Sequence, residues 1–198
     1  MGDSDDDFMG LAGVSGTDVL VSSGHPDPSS GAVNPLGLRA SGDGGRTWVT
    51  RSLSGQSDLH VLATDGHTLI GADAQGLRIS DDAGATWRPG APVAVVSLTV
   101  TPTGVWAVTP TGVQHSTDGG RSFSDTRAPQ LMLISGTSHA LWGIDAAGYA
   151  WFGADGMSWL KDDYVGQVDA LTAAPDGAAY AVSNQTLFTL DRSDHNPD

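Results

Sequence analysis

Three segments of this chain superimpose without gaps: Ser41-Gly-Asp-Gly-Gly-Arg-Thr-Trp48, Ser80-Asp-Asp-Ala-Gly-Ala-Thr-Trp87 and Ser116-Thr-Asp-Gly-Gly-Arg-Ser-Phe123. Their aspartates, Asp43, Asp82 and Asp118, lie 39 and 36 residues apart, and a degraded copy containing Asp155 and Gly156 ends at Trp159, 36 residues after Phe123. A period of this length marks a repeat architecture, in which each unit buries its apolar face against a neighbour because it cannot do so alone.

Between these motifs the chain runs in short apolar stretches broken by Gly, Pro, Asp and Asn. His60 to Thr64, Thr68 to Ala72 and Gly76 to Ser80 read as consecutive antiparallel strands, and no stretch shows a helical period. Aligning the first strand of each unit brings Met9, His60, Val96, Met132 and Asp169 into register, each two residues before Leu11, Leu62, Leu98, Ile134 or Leu171, at spacings of 51, 36, 36 and 37. Four short strands per unit of about 40 residues is the pattern of a propeller blade. The expected fold is therefore all-β, a β-propeller of about five four-stranded blades. It forms a single domain over residues 1–192, followed by a polar tail, 193–198. The fifth unit supplies three strands, the last running Thr186 to Leu190, which leaves an outer edge for Met1 to Ser4 or a second chain to complete; self-association through that edge is expected.

Charge and residue types exclude several functions. The formal charge is −14, from 23 acidic and nine basic residues, and both nucleic acid and anionic membrane surfaces require clustered Lys and Arg, so neither is expected as a partner. Every acidic residue is Asp and Lys161 is the only lysine, so chemistry that needs a glutamate is excluded. With no cysteine there is no disulfide, thiolate zinc site or cysteine nucleophile. No segment approaches the roughly 18 apolar residues of a membrane span, and Met1 to Asp7 is acidic, unlike a signal peptide.

The three motifs resemble the Ser/Thr-x-Asp-x-Gly-x-Thr-Trp signature of the Asp-box, or BNR-repeat, family of sialidase and sortilin-like propellers. The run Gly24-His-Pro-Asp-Pro28 with Asn34-Pro-Leu-Gly-Leu38 is similar to bacterial exported Asp-box proteins described as glycosyl hydrolases. The resemblance implies that each box joins the third and fourth strands of its blade, on the face opposite the usual active site, and that the full-length form is extracytoplasmic. The box residues Ser41, Asp43, Gly45, Trp48, Ser80, Asp82, Gly84, Trp87, Ser116, Asp118, Gly120 and Phe123 then have a structural role. Ser and Asp oxygens accept backbone N–H groups of a tight turn, the glycine takes φ > 0, and the aromatic tucks beneath. Trp106, Trp142 and Tyr180 recur at equivalent second-strand positions, as packing between blades requires; Trp151 lies outside both series.

Sialidase chemistry in the resembling family uses an arginine triad, a tyrosine nucleophile and a glutamate. Glutamate is absent here, and Arg46, Arg121, Arg51 and Arg88 lie in or just after boxes, so sialidase activity is not expected. Asp27, Asp58 and Asp169 are the carboxylates open to a two-carboxylate glycosidase, with nothing in their spacing to single them out.

The 51-residue first period places its surplus in a loop, Ser22 to Pro35, between second and third strands. In a propeller that loop shares a face with the starts of the innermost strands, so His25 and Asp27 are expected to approach His60, Met9, Met132 and Asp169 at the channel mouth. Such a set suits copper or zinc, although Met9 and Met132 also serve as gap-fillers and the histidines as ordinary surface residues. The expected function is a non-catalytic propeller that binds a small-molecule, glycan or protein ligand, with a transition metal at the mouth. A glycoside hydrolase-like enzyme and a protein-interaction scaffold are the alternatives.

Overall fold

A computed structural model describes residues 5–191. Among them there is no helix, and hence none long and apolar enough to cross a membrane; 19 strands form five antiparallel sheets, each a meander in chain order. The first blade is β1 (Asp7–Gly13), β2 (Leu20–His25), β3 (Leu38–Ser41) and β4 (Val49–Ser52). The second is β5 (Val61–Thr64), β6 (Leu69–Asp73), β7 (Gly76–Ser80) and β8 (Arg88–Pro89). The third is β9 (Ser97–Thr101), β10 (Gly104–Thr109), β11 (Gly112–Ser116) and β12 (Ser124–Asp125). The fourth is β13 (Leu131–Gly136), β14 (Leu141–Asp145), β15 (Tyr149–Gly153) and β16 (Trp159–Tyr164), and the fifth holds three strands, β17 (Ala170–Ala173), β18 (Ala179–Ser183) and β19 (Thr186–Leu190). The fold is a five-bladed β-propeller. The expected closing segment, Met1 to Ser4, lies outside the described residues.

The chain divides into two compact units: residues up to Val95 together with Asp118–Ser122, and Val96–Thr117 together with Phe123 onward. In the first, Val21 and Leu38 of blade one pack with Leu59, Leu62 and Leu69 of blade two. In the second, Trp106, Val108 and Val113 of blade three pack with Leu131, Ile134 and Leu141 of blade four, and Trp142, Ile144 and Ala150 of blade four with Ala179, Ala181 and Leu190 of blade five. Side-chain hydroxyls then satisfy backbone amides of the next blade. Leu59 N donates to Ser23 Oγ at 2.9 Å, Ile134 N to Ser97 Oγ at 3.0 Å, Gly136 N to Thr99 Oγ1 at 3.0 Å and Ala173 N to Ser135 Oγ at 2.9 Å. An innermost strand cannot pair with the neighbouring sheet, so these hydroxyls satisfy amides that burial would otherwise leave orphaned.

The motif turns connect the third and fourth strands of their blades, as expected. Ser41 Oγ accepts from Gly45 N at 2.9 Å, and Asp43 accepts from Thr47 N at 2.9 Å and Thr47 Oγ1 at 2.7 Å. The second turn repeats this geometry, with Gly84 N to Ser80 Oγ at 2.8 Å and Asp82 accepting from Thr86 N at 2.9 Å and Thr86 Oγ1 at 2.6 Å. Asp118 accepts from Ser122 N and Oγ, and the degraded copy keeps the acceptor, Asp155 taking Met157 N and Ser158 N. The box arginines fold back on their own turns, Arg46 to Asp43 O at 2.6 Å and Arg121 to Asp118 O at 3.0 Å. In the second unit Gly156, at φ 71°, brings its turn so close to blade three that an added Cβ would lie 2.2 Å from Trp106.

Candidate functional site

The expected alignment of first strands is realised in three dimensions. Met9 and Met132 occupy bulges, between Phe8 and Gly10 and between Leu131 and Leu133. His60, Val96 and Asp169 each donate their N–H to the carbonyl of Ala72, Val108 or Val182, the residue that also faces the next position of the strand. All five of these residues are exposed.

Chemistry collects at one of them. His25 ends β2, where it faces Asp7, and Asp58 and His60 straddle Leu59 just before β5. Leu59 is fully buried and its amide is held by Ser23 Oγ, so residues 58 and 60, two apart on extended chain, project to the same side away from the core. Asp58 Oδ2 lies 3.0 Å from His25 Nε2 and 2.6 Å from His60 Nε2, and its Oδ1 is buried with no hydrogen-bond partner. The Asp58 side chain is 17% exposed, against 42% for His25 and 57% for His60, so the carboxylate forms the floor and the imidazoles the rim. His25 Nδ1 is 2.7 Å from Asn34 Oδ1. That bond first, and the Asp58 charge second, raise the His25 pKa above its ordinary value. The three donor atoms lie within 4.8 Å of one another.

The sequence-derived set is therefore met in part. His25 and His60 come together as expected. Asp27 does not join them: its carboxylate accepts from the Ser29 amide at 2.6 Å and from the Ser29 hydroxyl, closing a local turn, and its own amide donates to Asp6 at 3.0 Å. Asp58 supplies the carboxylate instead. Met9 sits in the first-blade bulge, while Met132 and Asp169 belong to the second unit, where Asp169 Oδ2 accepts from Asn184 N at 3.1 Å. The loop carrying the surplus residues starts at Pro26 rather than Ser22, because Ser22 to His25 continue β2. Asp58, which reads from the sequence only as one of three carboxylates open to a glycosidase, is not grouped with the histidines there because nothing in its spacing singles it out. Trp151, the outlying tryptophan, donates to Asp145 Oδ2 at 2.9 Å, and the Lys161 ammonium lies 3.4 Å over the adjoining Tyr149 ring.

No protein-family model matches the chain, and no curated protein sequence matches it. Solved structures do. A structure of YCF48 bound to D1 peptide is similar at a TM-score of 0.60 and 13% identity, over 96% of this chain and 67% of that one. The extracellular domain of the one-component system BT4673 from B. thetaiotaomicron is similar at 0.62 and 11%, over 96% of this chain and 27% of that one. A GH74 enzyme of Niastella koreensis is similar at 0.55 and 18%, over 88% of this chain and 28% of that one. At these identities the likeness carries the fold alone, and the chain spans only part of each neighbour's length.

Proposed function

We propose that this protein is a non-catalytic, extracytoplasmic ligand-binding propeller of Asp-box descent, and that His25, Asp58 and His60 bind a divalent transition metal, zinc or copper. The observation that carries the reading is Asp58 Oδ2 placed between two imidazole Nε2 atoms, with a second carboxylate oxygen buried and unpartnered. Ligands of a tetrahedral zinc ion, about 2.0–2.2 Å from the metal, sit roughly 3.3 Å from one another, so the two spacings from Asp58 need only a small expansion to admit a metal. Two imidazoles and one carboxylate suit zinc or copper better than calcium. With Asn34 Oδ1 as acceptor, Nδ1 of His25 carries the proton and Nε2 turns its lone pair to the metal, the outer-sphere arrangement usual for a ligating histidine. Three protein donors leave a fourth position for water or a ligand atom.

The test is calorimetric titration of zinc and copper into the wild type, the His25→Ala, His60→Ala double variant and Asp58→Asn. One equivalent should bind the wild type and be lost from both variants; equal binding by all three rejects the site. Binding should also weaken as pH falls, since metal and proton compete for the imidazoles. With the His25 pKa raised, that loss begins above the ordinary histidine value of about 6.5.

A further inference from the structure

Two close backbone approaches in the first compact unit place Met9 between the chain neighbours of both histidines. In β1, Phe8 pairs with Gly24 and Gly10 with Ser23, so Met9 is the bulged residue and stands outside the ladder. A bulge re-aims the side chain it carries. On one flank, a Cβ added to Gly24 would lie 3.0 Å from Met9 N, so the Met9 backbone rests on the residue that precedes His25. On the other, a Cβ added to Gly10 would lie 2.4 Å from Leu59 O and 3.3 Å from the His60 carbonyl carbon, so the residue that follows Met9 rests on His60. A methionine that filled a gap in the core would be covered, whereas Met9 is 47% exposed.

The repeat supplies an internal comparison. Met132 occupies the same bulge in the second unit, between Leu131 and Leu133, and is equally exposed. There, however, the positions equivalent to His25, Asp58 and His60 hold Ala146, Gln167 and Asp169. The bulged methionine therefore meets imidazoles in blades one and two and none in blades four and five.

We infer that Met9 Sδ is the fourth donor of the site and that copper(I) is the ion it selects, given the reading of His25, Asp58 and His60 as metal ligands. A thioether is a soft, neutral donor that favours copper(I), and zinc gains little from it. The chain has no cysteine, so methionine is its only source of sulfur for a metal. The side chain is unbranched with three rotatable bonds, so its sulfur can turn to an ion without moving the backbone. Two neutral imidazoles, one thioether and the Asp58 carboxylate give copper(I) a site of zero net charge. Zinc takes the two imidazoles and the carboxylate and leaves the fourth position to water or a ligand atom.

Copper(I) affinity, measured without oxygen by competition with a chromophoric copper(I) chelator, and zinc affinity by calorimetry are compared in the whole chain, Met9→Leu and Met132→Leu. Met9→Leu should weaken copper(I) binding by at least about tenfold and leave zinc binding within about twofold, because a thioether discriminates between the two ions. Met132→Leu should change neither. X-ray absorption at the copper edge should show a sulfur neighbour in the wild type and in Met132→Leu, and none in Met9→Leu. Equal copper(I) affinity in the wild type and Met9→Leu overturns the inference. So does a wild-type copper site without sulfur, or an equal loss of both metals in Met9→Leu. In each of those cases, zinc binding that Asp58→Asn abolishes shows that the three-residue site stands without Met9. A wild type that binds neither metal overturns the site and the inference together.

Discussion

Single side chains in the motif turns act as local hydrogen-bond hubs rather than as ligands. Ser80 is buried while Asp82 reaches the surface, and together they satisfy the amides of Gly84 and Thr86 that a tight turn would otherwise leave unpaired. The same bonds, made to the ionised carboxylates, lower the pKa of the aspartates. Asp43 is lowered to about 2, first by the Thr47 amide and then by its hydroxyl, and Asp82 to about 2, first by the Thr86 hydroxyl and then by its amide. A carboxylate whose folded pKa is below its unfolded value contributes stability that is present above the unfolded value and disappears as pH falls through the folded one. Stability should therefore decline between about pH 4 and about pH 2, with a shallower decline in Asp82→Asn. Urea titrations at stepped pH measure this; parallel slopes for wild type and variant would show that the turn carboxylate does not set acid sensitivity.

At the level of the element, each blade depends on small residues that let the next one approach. Gly10 of blade one lies so close to blade two that an added Cβ would fall 2.4 Å from Leu59 O, and Gly156 seats its turn on Trp106 with a left-handed backbone. Gly156→Ala adds both a steric clash and an unfavourable φ, and should destabilise by at least about 2 kcal/mol. Thermal or urea denaturation decides it, and an unchanged midpoint would mean that Trp106 moves aside freely. The element scale also explains how the histidine cluster is held. Ser23 of β2 anchors Leu59, and that single bond between two blades orients Asp58 and His60 toward His25 at the end of the same strand.

For the whole molecule, the proposed metal site joins blade one to blade two, so an ion held by His25, Asp58 and His60 should raise the melting temperature, because whatever binds the folded state alone shifts the folding equilibrium. Differential scanning calorimetry with and without zinc checks this, and an unchanged melting temperature argues against the site. At this scale the division between sequence and structure also becomes plain. From sequence alone came the repeat, the register of Met9, His60, Val96, Met132 and Asp169, the three-stranded last blade and the turn role of Asp43, Asp82 and Asp118. These are local patterns copied several times along the chain, so each copy corroborates the others. Tertiary structure alone decided that Asp58 rather than Asp27 joins the two histidines, because one loop closes Asp27 onto Ser29 while a hydrogen bond between blades turns Asp58 toward His25. It alone showed that Leu59 is fully buried with its amide held by Ser23 of the preceding blade, a contact between blades that no spacing along the chain encodes.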